Sequence, residues 1–213
     1  MSLNYERRTT NDERRKKRDI VIASKNRKKL HELKRYLKGV KATIHCLADI
    51  EKSPRIVENG RTFRANAVKK AVIVSKFVKG LALADDSGLC VDALGDEPGV
   101  KSARFAGPRK KDPDNNAKVL RLLRDVPGAG RKARFVCAVA IADNGKIVRV
   151  FEESCDGRIA FETRGSYGFG YDPIFLIPKY RKTFGELGLK VKDRMSHRSK
   201  ALKKAREFLR KYL

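Results

Sequence analysis

The chain has 213 residues, with 51 Lys and Arg against 25 Asp and Glu, a formal net charge of +26 and a hydrophobic content of 41%. That length suits one domain, or one domain with a small lobe, and is enough to bury a core; no apolar run is long enough to cross a bilayer and the charged N-terminus lacks a signal-peptide core, so a cytoplasmic protein is expected. The cysteines Cys46, Cys90, Cys137 and Cys155 are widely spaced with no CxxC pair, which excludes a zinc-type spacing and a disulfide framework and predicts small core residues in a reducing compartment.

Residues 1–18 are polar, mixed in charge and without apolar periodicity. They are expected to form a disordered basic tail ahead of a single folded domain over 19–213. Residues 19–24 (DIVIAS) read as a buried first strand, and Leu30, Leu33 and Leu37 at helical spacing predict a helix over 26–37. A strand, a small polar turn and a Lys-rich helix start make a natural anion site, because free backbone N–H groups and the helix dipole favour phosphate there. The glycines of a P-loop are absent. Residues 42–47 form a second strand. Glu58-Asn59-Gly60 makes a turn, and Thr62 is placed to cap a helix over 63–78. Phe63, Ala67, Val74 and Phe77 supply the apolar face of that helix, while Asn66 and Lys70, four apart, share another.

Residues 80–84 read as a strand ending at Asp85-Asp86, with Ser87-Gly88 turning the chain at once. Adjacent strand residues point to opposite faces, so only one of the two carboxylates can face a given cleft; the other faces inward or caps the turn. A strand end of this kind suits Mg²⁺, which takes one or two carboxylates plus phosphate oxygens; a tight turn with solvated acids is the competing reading. Pro98-Gly99 marks a turn, and Ser102-Ala103-Arg104 follows at a helix start. Asp112-Pro113 supplies the cap and first-turn proline of a helix whose core face is Val119, Leu120, Leu122, Leu123 and Val126. Apolar runs over 133–142 and 146–153 flank Asp143-Asn144-Gly145, a strong hairpin signal, and 157–161 continues the sheet.

The segment 165–173 (GSYGFGYDP) sets Phe169 and Tyr171 among glycines. Backbone can approach a ligand closely there and a ring can stack on a flat base, or the rings can tuck into the core. Ser196 caps a last helix buried through Ala201, Leu202, Ala205, Phe208 and Leu209. Lys192, His197 and Arg198 crowd the start of that helix, where cations are electrostatically unwelcome, so a bound anion or carbonyl is expected to compensate them. The overall positive charge would draw any polyanion, nucleic acid or a small phosphorylated molecule alike. The basic residues are scattered along the chain with no aromatic-rich basic motif, which weighs against specific nucleic-acid recognition.

Five blocks occur in order: Ser24-x-Asn26-x-x-Lys29; Glu58-x-Gly60-x-Thr62-Phe63-x-x-Asn66-Ala67-x-x-Lys70-Ala71; Asp85-Asp86-Ser87-Gly88-Leu89 with Pro98-Gly99 and Ser102-Ala103-Arg104; Gly168-Phe169-Gly170-Tyr171-Asp172-Pro173; and Ser196-His197-Arg198. As an ordered set, over about residues 19–202, they resemble the inosine triphosphate pyrophosphatase family, which hydrolyses non-standard purine nucleoside triphosphates such as ITP, dITP and XTP. The resemblance implies an α/β fold with a mixed, elongated central sheet flanked by helices, in two lobes with the nucleotide cleft between them. It implies hydrolysis to the monophosphate and pyrophosphate, Mg²⁺ as cofactor and a homodimer, while the composition and patterning above argue against membrane and nucleic acid as partners.

By analogy with that family, Asp86 is the general base and a metal ligand, and Glu58 is the other metal carboxylate. Ser24, Asn26, Lys29 and Lys70 would hold the triphosphate, with Ser87 also touching substrate. Phe169 would stack on the purine within a binding segment that includes Gly170, Tyr171 and Asp172. Lys192, His197 and Arg198 would read the base edge around its 6-keto group. Two departures stand out: Lys25, where relatives often carry Gly, and Phe184-Gly185, where a small Ala pair commonly precedes Glu186. The alternatives are a nucleotide pyrophosphatase with another base preference and a basic nucleic-acid-binding protein on the same scaffold.

Overall fold

In the computed structural model the described residues are 18–24, 27–109 and 111–213, with side chains described for all of these except 27–29. The tail over 1–17, Lys25, Asn26 and the side chain of Lys29 therefore lie outside the described residues.

Among the described residues seven strands form one mixed sheet. β1 (Arg18–Ile22) runs parallel to β2 (Ala42–Cys46) on one side and to β3 (Leu81–Val91) on the other. The helices α1 (Arg27–Tyr36) and α2 (Phe63–Val78) make the two crossovers. β3, β4 (Lys132–Asp143) and β5 (Lys146–Ile159) are long antiparallel neighbours, and β6 (Phe175–Ile177) and β7 (Lys182–Thr183) complete the order β2-β1-β3-β4-β5-β6-β7. Outside the sheet lie α3 (Asp112–Leu122), α4 (Phe184–Met195) and α5 (His197–Tyr212).

Local chemistry explains these boundaries. Asn144 and Gly145 both take positive φ, 49° and 81°, as a tight turn matched to strand twist requires. Thr62 Oγ1 accepts from Ala65 N at 3.0 Å, so α2 starts where a cap was expected. Thr183 and Glu186 form a capping box at α4, and the Ser196 side chain accepts from Ser199 N at α5.

The long strands carry three apolar clusters. At one end of the sheet α1 and α5 cover Ile20, Ile22, Leu83, Val139 and Ile141. On the opposite face α2 lays Ala67, Ala71 and Val74 against Ala82, Ala84, Ala138, Ala140 and Ala142, small side chains that let the helix approach the sheet closely. The alternation along β4 sorts these two sets. At the other end Leu89, Val91, Phe135, Phe175 and Phe184 pack with α3 and α4 into the third cluster.

Three expectations need correction. β3 does not stop at Ala84; it continues through Asp85-Asp86-Ser87-Gly88 to Val91, paired with β4 throughout. Phe77 and Leu122 are not core residues but stand 44% and 46% exposed, because both fall in the last turn of their helices at the flank of the buried stripe. Among the described residues no helix is long and apolar enough to cross a membrane.

Arg131 is an unforeseen part of the core. It is 1% exposed and donates to four backbone carbonyls: Leu123 at 2.6 Å, Val126 at 3.3 Å, Ile159 at 3.0 Å and Ala160 at 2.9 Å. It therefore fastens the end of α3 to the end of β5, with its guanidinium 4.4 Å from the Phe161 ring centroid. Replacing it with Met leaves those carbonyls without their donor, and urea unfolding is expected to show a loss of about 3 kcal/mol. None of the four cysteines is in a disulfide, all four are buried, and burial pushes the Cys155 thiol up to about 11. With a thiolate fraction of about one in a thousand at pH 8, Cys155 should react with a thiol reagent only after the protein is unfolded.

Candidate active site

β1 pairs with β3 only over Leu81–Leu83, and Ala23 N donates to Leu83 O at 2.8 Å. Past that point the same edge of β3 borders a cleft of about 800 Å³. The far end of the edge is covered by the turn Gly99–Arg104, where Leu89 N donates to Ser102 Oγ at 2.9 Å and Cys90 bridges Pro98. An open strand edge lets Asp86 and Ser87, which project to opposite faces of the sheet, both reach one cavity. Twelve of the fourteen sites proposed from the sequence line this cleft: Ser24, Glu58, Lys70, Asp86, Ser87, Phe169, Gly170, Tyr171, Asp172, Lys192, His197 and Arg198. Asn26 and the Lys29 side chain lie outside the described residues.

On one face of β3, Asp86 Oδ2 accepts from Asn66 Nδ2 at 2.9 Å. Asn66 Oδ1 in turn accepts from Gly60 N at 2.7 Å, so one buried amide holds both the carboxylate and the loop that carries Glu58. Lys70, one helical turn on, donates to Glu58 Oε1 at 2.7 Å and lies 3.7 Å from Asp86 Oδ1. Burial pulls the Lys70 ammonium down, but Asp86, Asp85 and Glu58 outweigh it and its pKa is raised, so it is fully charged at neutral pH. Gly88 is needed here for closeness rather than for a turn, since a Cβ would come within 2.2 Å of Ser102 Oγ and 2.8 Å of the Phe63 ring. Among the described residues no group of three or more His, Cys, Asp or Glu gathers as a metal cage. What the chain offers is two converging carboxylates, Glu58 and Asp86, a donor set that fits Mg²⁺ completed by water and phosphate oxygens.

On the other face, Asp85 is buried against Arg198. The guanidinium donates from Nε to Asp85 Oδ2 at 3.4 Å, from one terminal nitrogen to Glu32 Oε2 at 2.9 Å, and from the other to Ser87 Oγ at 2.7 Å. Burial works against the Arg198 charge, but Glu32 and Asp85 more than restore it and its pKa is raised. The expectation that an anion or carbonyl compensates the cations at the start of α5 is thereby corrected: carboxylates of the chain already do so. Lys192 is paired in the same way, with Asp172 Oδ2 at 2.5 Å. Burial pushes the Asp172 carboxyl up, while Lys192 and the Phe169 N–H pull it back. His197 lines the cleft with its ring stacked on Phe135, centroids 4.7 Å apart and planes 15° apart.

Sequence reasoning missed Glu32. A lone Glu in a Lys-rich helix reads as a surface counter-charge, and nothing in its spacing reveals a partner 166 residues away.

The glycine-aromatic segment resolves into two roles. Tyr171 is 4% exposed and its hydroxyl donates to Ser102 O at 2.8 Å, so it anchors the loop. Phe169 sits between Gly168 and Gly170, at φ 82° and 64°, with its N–H donating to Asp172 Oδ2 at 2.9 Å. The Lys192 ammonium and the Arg198 guanidinium lie 4.8 and 5.3 Å from the Phe169 ring centroid. The Phe184-Gly185 departure also finds its reason. A Cβ on Gly185 would fall 2.6 Å from Arg164 O and 2.9 Å from Pro173 Cα, so backbone packs on backbone there, and Phe184 fills the core beside Phe175.

A family model described as the Ham1 family matches residues 20–208. A protein of Desulforamulus reducens named dITP/XTP pyrophosphatase is 48% identical over 190 residues, covering 89% of this chain and 94% of its own length. A protein of the same name from Rhodopirellula baltica is 50% identical, over 87% of this chain and 89% of its own length. Among solved structures, a HAM1 protein from Coxiella burnetii superposes with a TM-score of 0.84 at 37% identity, over 91% of this chain and 98% of that one. The Staphylococcus aureus Ham1 protein gives 0.83 at 36%, over 92% and 100%. The chain belongs to the Ham1 family.

Proposed function

We propose that this protein hydrolyses non-standard purine nucleoside triphosphates (ITP, dITP and XTP) to the monophosphate and pyrophosphate, and so clears them from the cytoplasmic nucleotide pool, as the homodimer the resemblance implies. The names of its relatives support this substrate class. The observation that carries the reading is one cleft holding two separate charged centres: Asp86, Glu58 and Lys70 at one, and Arg198 and Lys192 beside the Phe169 ring at the other.

The first centre suits attack of water on a phosphorus surrounded by negative charge. Asp86, held by Asn66 and 3.7 Å from the Lys70 ammonium, accepts a proton from water. Lys70 and the start of α1, with Ser24, Asn26 and Lys29, offset the charge of the triphosphate. Mg²⁺, held by Glu58 and Asp86, would supply further neutralisation of the phosphate oxygens.

The second centre suits a 6-keto purine. A guanidinium has five N–H donors, and three bonds of Arg198 go to Asp85, Glu32 and Ser87, so it has donors left for a base. A 6-keto oxygen accepts from Arg198 and Lys192, whereas the 6-amino group of adenine cannot. Donors left unpaired in a buried site make ATP a poor fit. Phe169 supplies the stacking face.

Incubation with Mg²⁺ and a panel of ITP, XTP, dITP, GTP, ATP and dUTP tests this by product analysis. ITP, dITP and XTP should be turned over far faster than ATP, with pyrophosphate and monophosphate as first products; primary orthophosphate release or no preference over ATP would overturn the reading. Chelation of divalent metal should abolish turnover and Mg²⁺ should restore it. Asp86→Asn, close in shape, should lower kcat about a thousandfold with little change in thermal stability.

A further inference from the structure

The loop carrying Phe169 is held by α3, whose Asp112 lines the same cleft and whose Asn116 lies behind it. Gly170 N donates to Asp112 Oδ2 at 2.8 Å, and Asn116 Nδ2 donates to Gly170 O at 3.1 Å. Asp112 and Asn116 are four apart on α3, so both side chains lie on one face of the first turns of that helix. One helix thus holds both backbone polar groups of one loop residue, across more than fifty positions of sequence.

Three observations set this arrangement apart from ordinary packing. First, an Asp ahead of a first-turn Pro is normally spent capping its own helix. Here α3 opens at Asp112 itself, Lys111 stands in the cap position with no side-chain cap bond, and the Asp112 carboxylate goes to Gly170 instead. Second, Asn116 is 5% exposed, and burying an amide costs free energy that hydrogen bonds must offset. The bond it donates is the one to Gly170. Third, there is open space where a side chain on Gly170 would point: a Cβ built on it meets nothing within 4 Å, and its φ of 64° is one that glycine reaches without constraint. On that side the two hydrogen bonds from α3 are what hold its backbone.

The neighbouring side chain extends the network. Asn115, 3% exposed, accepts from Ala106 N at 2.7 Å and donates to Ala103 O at 3.4 Å, while Tyr171 donates to Ser102 O. The start of α3 therefore joins the turn Gly99–Arg104 and the Phe169 loop into one rigid wall.

We propose that Asp112 and Asn116 are positioning residues for the base-stacking loop: by holding Gly170 on both sides they fix Phe169 over Lys192 and Arg198 before a nucleotide arrives. The role in base binding rests on the function proposed above; the hold on the loop does not. A loop released from this hold must be ordered anew at each binding event, which weakens the affinity for the base and leaves the phosphate chemistry alone.

The test compares the full chain with Asp112→Ala, Asn116→Leu and Asp112→Asn in two measurements. Hydrogen exchange reads the amides of 168–171. Steady-state kinetics with ITP are set beside inhibition by inorganic tripolyphosphate, which has no base. In Asp112→Ala and Asn116→Leu the loop amides should exchange faster and KM for ITP should rise about tenfold, equivalent to about 1.4 kcal/mol. The kcat and the tripolyphosphate inhibition constant should stay within about twofold. Asp112→Asn keeps an acceptor oxygen for Gly170 N and should match the wild type in both measurements. Unchanged exchange and KM would overturn the proposal. So would a tripolyphosphate constant that moves with KM, which marks general damage, or an Asp112→Asn as impaired as Asp112→Ala, which marks charge rather than a hydrogen bond. A wild type that protects the loop but does not turn over ITP would overturn the nucleotide reading instead, with exchange alone deciding the hold on the loop.

Discussion

The pleat of one strand governs the site. Asp85 and Asp86 are neighbours on β3, both nearly inaccessible, and the strand sends them to opposite faces. A buried carboxylate is costly unless it is paired, so each face must bring its own cations and donors. Asn66 and Lys70 arrive on α2 for Asp86. Arg198 arrives on α5 for Asp85, with Glu32 of α1 balancing its remaining charge. The two charge centres are thereby held apart by the strand itself, yet both open onto the same edge, because β1 ends its pairing with β3 at Leu83.

The helices that deliver these groups are tied to one another as well as to the sheet. α1 carries Glu32 to Arg198 and ends with Tyr36 and Arg35 on Asp193 at 2.5 and 2.6 Å, next to Lys192. α1 and the cations Arg198 and Lys192 thus belong to one packed unit. On the opposite face the alanines between α2 and the sheet set Lys70 and Asn66 at a short, fixed distance from β3. The cleft is preorganised on both of its walls, which is what a site discriminating charged, rigid ligands requires.

Much of this was legible in the sequence because it follows from spacing. Asn66 and Lys70 share a helix face by their separation of four, Asp85 and Asp86 face apart by strand geometry, and Asn144-Gly145 specifies its hairpin. What was not legible depended on long-range contact. Ser87-Gly88 has the composition of a turn, and only the nearness of Ser102 and Phe63 explains a glycine inside a continuous strand. The cations at the start of α5 invited a ligand, whereas Glu32, Asp85 and Asp172 compensate them from distant positions in the chain. Asp112 reads as a helix cap and nothing in the sequence singles out Arg131; each is spent on backbone groups of another element. Phe77 and Leu122 fit helical stripes whose last turns lack a covering partner.

The separation of a reacting centre from a base-reading centre is the claim most open to direct test. The measurement is the ratio of ITP to ATP affinity at equilibrium, taken in an Asp86→Asn background so that neither nucleotide is consumed, with and without Arg198→Lys. The expected result is a strong preference for ITP in Asp86→Asn that collapses toward equality when Arg198→Lys is added. A preference already lost in Asp86→Asn, or one that survives Arg198→Lys intact, would contradict the division of labour between the two faces of β3.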